Sequence, residues 1–167
     1  MDLTSVRRGA TGPVLVGVDG HDHDARVVTT AGAHADRLGT GLQVVHVLDV
    51  AGEPLRPATL PTVALRRSHE RRRKLDDARA ELRERLQTFV TGLTDVDLAN
   101  VDLRTTVGDP ATVLLAMSRR ACLLVLGTRS GPARSPFLLG TVCQDVAVHA
   151  SCPVLLVPWA KDGDEPG

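Results

Sequence analysis

Two short stretches hold the residues best suited to chemistry, and the type they suit is anion binding and hydrogen-bond acceptance. Gly127-Thr128-Arg129-Ser130-Gly131-Pro132-Ala133-Arg134-Ser135-Pro136-Phe137-Leu138-Leu139-Gly140-Thr141-Val142 combines small residues, two arginines and a helix start near Thr141. At a helix start the first backbone N–H groups lack intrahelical partners and carry the positive end of the helix dipole, which favours a phosphate. Gly127 and Gly140 have no side chain to block its approach, the Thr141 hydroxyl can donate to it, and Arg129 can add a charge-assisted contact. The second stretch is Asp19, directly after the apolar run Val14–Val18, where a carboxylate can accept from an amino or hydroxyl group.

Other reactive groups point less far. Asp19-Gly20-His21-Asp22-His23-Asp24 offers two imidazoles and three carboxylates, but Asp22 and Asp24 suit the first turn of a helix and no distant ligand set accompanies them, so no metal is expected. Arg66-Arg67-Ser68-His69-Glu70-Arg71-Arg72-Arg73-Lys74 is a basic run followed at once by Asp76, Asp77, Glu81 and Glu84, which reads as a solvated helical face. Cys122, Cys143 and Cys152 are odd in number and lack a C-x-x-C pair, so free thiols are expected and not disulfides or zinc. G-x-x-x-x-G-K-[ST], a G-x-G-x-x-G after the first strand and G-x-S-x-G are all absent. Without an identifiable general base, no catalytic residue is assigned.

These groups need a scaffold. Val14–Val18, Leu42–Leu48, Val101–Val107, Cys122–Leu126 and Val154–Val157 read as five strands, the last bracketed by Pro153 and Pro158. Ala25, Val28, Ala31, Ala35 and Leu38 recur at helical spacing between Asp22 and Leu38, and Gly39 ends that helix. Leu75, Ala78, Leu82, Leu86 and Phe89 mark a second helix, with Glu81 four residues before Arg85. Asp109-Pro110 predicts an N-cap followed by the first helical position. Residues 49–63, with Pro54, Pro57 and Pro61, read as a long loop. Alternating strands and helices with continuously apolar strands call for a parallel sheet covered on both faces, an α/β/α doubly wound domain of Rossmann-like or flavodoxin-like layering. The expected boundaries are a tail at 1–12, one domain at 13–159 and a tail at 160–167.

In such a sheet ligands bind beyond the carboxyl ends of the strands, which unites Asp19, His46-Val47 and the 127–142 segment. The chain resembles the universal stress protein family, on Val16-Gly17-Val18-Asp19-Gly20, His46-Val47, Gly108-Asp109-Pro110-Ala111 and Ala150-Ser151-Cys152-Pro153-Val154-Leu155-Leu156-Val157. It also resembles the family's nucleotide pattern of Gly, two residues, Gly, nine residues, Gly, then Ser or Thr, running from Gly127 to Gly140-Thr141 with Ser130 in place of the middle glycine. The resemblance implies ATP, with Mg2+, held by Val18, Asp19, Val47, Leu126, Gly127, Arg129, Ser130, Gly140, Thr141 and Val142. Adenine is implied near Asp19 and the Val47 backbone, and ribose and phosphates along the glycine-containing segment. It further implies a homodimer, for which the apolar strand Val154–Val157 is the expected contact.

The composition narrows the partners. Twenty Lys+Arg oppose twenty Asp+Glu in 167 residues and aromatics are 2%, so neither a generic nucleic-acid binder nor a base-stacking platform is expected. No run nears the ~20 apolar residues of a membrane span, and Met1–Gly9 has two arginines without an apolar segment after them, so a cytoplasmic protein is expected. The expected function is an ATP-binding stress sensor or regulator that changes conformation or partners on binding. The alternatives are a nucleotide-free homodimeric interaction module and a slow ATPase.

Overall fold

The computed structural model describes residues 12–21, 23–49, 61–93, 96, 98–128 and 139–158, without the side chains of residues 61–68 and 98. Strands β1 (Val14–Val18), β2 (Leu42–Leu48), β3 (Val101–Val107), β4 (Leu123–Gly127) and β5 (Val154–Val157) alternate with helices α1 (Asp24–Leu38), α2 (Pro61–Thr91), α3 (Pro110–Ser118) and α4 (Thr141–His149). The strands form one parallel sheet in the order β3-β2-β1-β4-β5, with Val14 opposite both Leu42 and Leu123. From β1 the chain winds outward through β2 and β3, then returns to β4 on the other side of β1. The reversal opens a crevice between the carboxyl ends of β1 and β4.

Alternation along each strand divides the core in two. Val14, Val16, Val18 and Val44 join Val27, Val28, Ala31 and Ala35 of α1 and Leu86 and Val90 of α2 on one face. Leu15, Val45, Leu124 and Leu126 meet Leu114 of α3 and Cys143 and Val146 of α4 on the other. Burying each such Val or Leu contributes roughly 1.5–3 kcal/mol before the entropy of ordering is counted. The expected sheet with helices on both faces is therefore the observed one.

Several boundaries differ from the sequence reading. The long second helix begins at Pro61, so residues 61–63 of the expected loop are helical, and residues 50–60 lie outside the described residues. Proline suits a helix start because its missing N–H has no intrahelical partner to lose there. Strand β4 runs to Gly127, one residue past the expected end. In α1 the buried residues are Asp24, Val27, Val28, Ala31, Gly32 and Ala35, whereas Leu38 is 53% exposed. The apolar period expected there was thus rotated by part of a turn, because the inward stripe includes a carboxylate and a glycine that a hydrophobic pattern does not register. The Asp109 cap forms as expected, its Oδ2 accepting from the Thr112 N–H at 2.7 Å with Pro110 at the first helical position. Among the described residues no helix is long and apolar enough to cross a membrane.

Candidate functional site

The turn after β1 is organised by one buried carboxylate. Gly20 adopts φ +84°, a left-handed conformation natural to glycine, and the chain doubles back over the start of α1. This brings Asp24, only 7% exposed, beneath the turn. Its Oδ2 accepts from the backbone N–H groups of Asp19 at 3.2 Å, Gly20 at 2.7 Å and His21 at 3.1 Å. Burial pushes the Asp24 carboxyl above its ordinary range, helped by the negative charge of Asp19 and opposed by the donated N–H bonds. Asp19 is half-exposed above the turn, its Oδ1 2.7 Å from His21 Nδ1. His46, on β2 beside Gly20, is held below the usual imidazole range by burial, against the pull of Asp24 and Asp19.

The start of α4 is finished differently. Gly140 is its N-cap, with φ −62° and ψ 158° and no side-chain cap. A Cβ added there would meet no atom of the described residues within 4 Å. The first bond of the helix runs from the Gln144 N–H to the Gly140 carbonyl at 3.0 Å. The amides of Thr141, Val142 and Cys143 therefore precede the intrahelical ladder. Cys143 Sγ reaches the Gly127 carbonyl at 3.4 Å, tying the first turn of α4 to the last residue of β4. Burial and the negative charge of Asp19 push the Cys143 thiol upward.

The sequence-derived residues fall as follows. Val18, Asp19, Val47, Leu126 and Gly127 lie at the carboxyl ends of the adjacent strands β1, β2 and β4, and Gly140, Thr141 and Val142 open α4. Thr141 is exposed and is the first helical residue, not its cap. Arg129 and Ser130 lie outside the described residues. Gly127 has a packing role: a Cβ there would stand 2.9 Å from His23 Cδ2 and Val27 Cγ2, so its lack of a side chain is what lets α1 cross β4 closely. His23 Nε2 lies 3.3 Å from the Val157 carbonyl, linking the same crossing to β5.

Asp24 and His23 escaped the sequence reading as contributors to this corner, whereas His46 was placed there with Val47. Asp24 was read as an ordinary first-turn residue; its spacing of three to five residues from Asp19, Gly20 and His21, across a glycine, was the available signal. Among the described residues no group of three His, Cys, Asp or Glu side chains is arranged to hold a metal ion. The arrangement can accept hydrogen bonds at Asp19 and donate backbone N–H groups to an anion at Thr141, Val142 and Cys143.

A doubly wound α/β domain with an acceptor carboxylate after its first strand and an uncapped helix start across the switch point belongs to the class that binds ligands in this crevice. Comparison with known proteins makes the class specific. The profile of the Universal stress protein family matches residues 11–158. A universal stress protein of Thermus aquaticus is 36% identical over 150 residues, covering 86% of this chain and 96% of its own. The universal stress protein UspA from Lactobacillus plantarum shares the fold at 21% identity and TM-score 0.60, over 88% of this chain and 97% of its own. The universal stress protein from Archaeoglobus fulgidus in complex with dAMP matches at 20% identity and TM-score 0.52, over 88% and 98%. The chain belongs to the universal stress protein family.

Proposed function

We propose that this chain binds an adenine nucleotide, with ATP and Mg2+ as the full ligand, and acts as a stress-response sensor or regulator whose conformation or partners depend on that binding. The observation that carries the reading is the start of α4, where a glycine N-cap with no described residue crowding it leaves the first-turn amides to meet a phosphate. The backbone N–H groups after β1 are already engaged by Asp24, so the phosphates belong at α4 and the nucleoside at Asp19 and Val47. The nucleotide bound by the Archaeoglobus fulgidus relative supports an adenine ligand, and the Gly127 to Gly140-Thr141 spacing supports a longer phosphate chain. Contacts made at the α4 start only with nucleotide bound are the route by which binding would alter partners.

A second reading, a homodimer that works without nucleotide, draws on β5. It pairs with β4 alone in the sheet, and Val154, Leu155 and Leu156 are only half-buried. One experiment separates the two. Saturating ATP with Mg2+, at about 100 times Kd, stabilises a native-specific binder by about 2.7 kcal/mol, roughly 5–10 °C in melting temperature for a chain of this size. That rise, and its loss in Gly140→Leu, is expected. Gly140 has an extended conformation that any residue adopts, and a Cβ there meets no described residue within 4 Å, so the substitution is expected to spare the fold. No rise in the wild type, with a dimer mass by light scattering unchanged by ATP, would leave the nucleotide-free module standing.

A further inference from the structure

The turn joining β1 to α1 combines two features that usually conflict. It carries Asp19, the carboxylate offered to the nucleoside, and it has three consecutive backbone N–H groups pointing to one side. Such N–H groups commonly make an anion site. Here the anion is internal: Asp24, one helical turn along, is buried and supplies the acceptor for all three. The geometry therefore separates the crevice into an end where amides are already satisfied and an end, at α4, where they face outward.

Resting on the nucleotide reading above, we propose that Asp24 is a positioning residue for the nucleoside end of the site, holding the Asp19–His21 backbone so that the Asp19 carboxylate faces the ligand. Asp24 does not touch the ligand. It acts through the three N–H bonds, which set where the Asp19 Cα and side chain start. Asp19 and His21 are adjacent members of the same turn, joined by the 2.7 Å contact between Oδ1 and Nδ1, so a shift in this backbone moves both side chains together. Gly20, with its left-handed φ of 84°, supplies the turn that brings these three amides over Asp24. The role is local: the first turn of α4, where the phosphates sit, is tied to β4 through Cys143 and Gly127, not to Asp24.

This separation gives the test. Affinities for ATP and for inorganic triphosphate, which lacks the nucleoside, are measured by calorimetry on the whole chain for the wild type, Asp24→Ala, Asp24→Asn and Gly140→Leu. All are checked by circular dichroism to be folded at the working temperature. Leaving the three donors without their acceptor is expected to weaken ATP about 10-fold in Asp24→Ala, a loss of the size of one unmade hydrogen bond at Asp19, and to leave inorganic triphosphate unchanged. Asp24→Asn, whose amide oxygen still accepts from the turn, is expected to restore most of the ATP affinity, a rescue that loss of general stability would not predict. Gly140→Leu is expected to weaken both probes alike. Should Asp24→Ala not fold, Asp24→Ser takes its place, since its shorter hydroxyl reaches fewer of the donors. The proposal is overturned by a folded Asp24 variant with wild-type ATP affinity, or by one that loses ATP and inorganic triphosphate in equal proportion. A wild type that binds neither probe overturns the nucleotide reading itself, a result distinct from either.

Discussion

Helices α3 and α4 are each nine residues long and pack together on one face of the sheet, yet their N-termini are finished in opposite ways. At α3, Asp109 seals the first turn with its own carboxylate and Pro110 removes one amide altogether. At α4, Gly140 supplies neither a cap nor a side chain. An uncapped helix start forgoes stabilisation of about 0.5–2 kcal/mol relative to a good polar cap, although glycine recovers much of that. The two helices therefore show the same local problem solved once with a sealed start and once with an open one. The opening after β1 sides with α3, since its amides too are satisfied by an internal carboxylate.

Exchanging the two finishes should have the largest effect. Gly140→Asp gives α4 the kind of cap α3 has, and places a negative charge where the phosphates are proposed to bind. It is expected to lower ATP affinity about 100-fold while leaving stability equal or about 0.3 kcal/mol higher, read by titration and melting of the same protein. Unchanged affinity would mean that the α4 start is not the phosphate end. The converse change is smaller. Asp109→Ala strips the α3 cap and is expected to lower the melting temperature by about 3 °C without altering ATP affinity. A loss of affinity there would break the division of labour between the two helices.

Much of this contrast was legible in the sequence, for a physical reason. Asp109-Pro110 and Gly140-Thr141 are local signals, readable because a cap acts within three residues of itself. The five strands were equally local, as short apolar runs between punctuating residues. Asp24 was not legible in its role. Its chemistry depends on the chain reversing at Gly20, and in the helical pattern it is one more polar residue. Gly127 shows a different limit. Its place in the Gly127 to Gly140-Thr141 spacing was legible, but its packing role was not, because a Cβ there would run into His23 and Val27, a contact between elements that spacing alone does not reveal. Pro61 illustrates a third limit, since a proline reads equally as the end of a loop or the start of a helix.

The finest distinction between the helix starts is electrostatic. Hydrogen bonds from the Thr112 side chain and backbone hold the Asp109 carboxyl below its ordinary value of 3.8, whereas the N-cap of α4 has no ionisable group. A carboxyl depressed in the folded state contributes stability that is complete above its unfolded value and disappears as the pH falls through the folded one. Asparagine caps about as well as aspartate but does not titrate. Asp109→Asn is therefore expected to melt close to the wild type at pH 7 and to gain on it as the pH drops below 3.8, with the Gly140 helix contributing nothing to the difference. Melting curves of both proteins at pH 7 and pH 3 measure it. A difference between the two proteins that stays constant over that interval would mean that the α3 cap works as a neutral hydrogen bond, and the contrast with α4 would then be one of geometry alone.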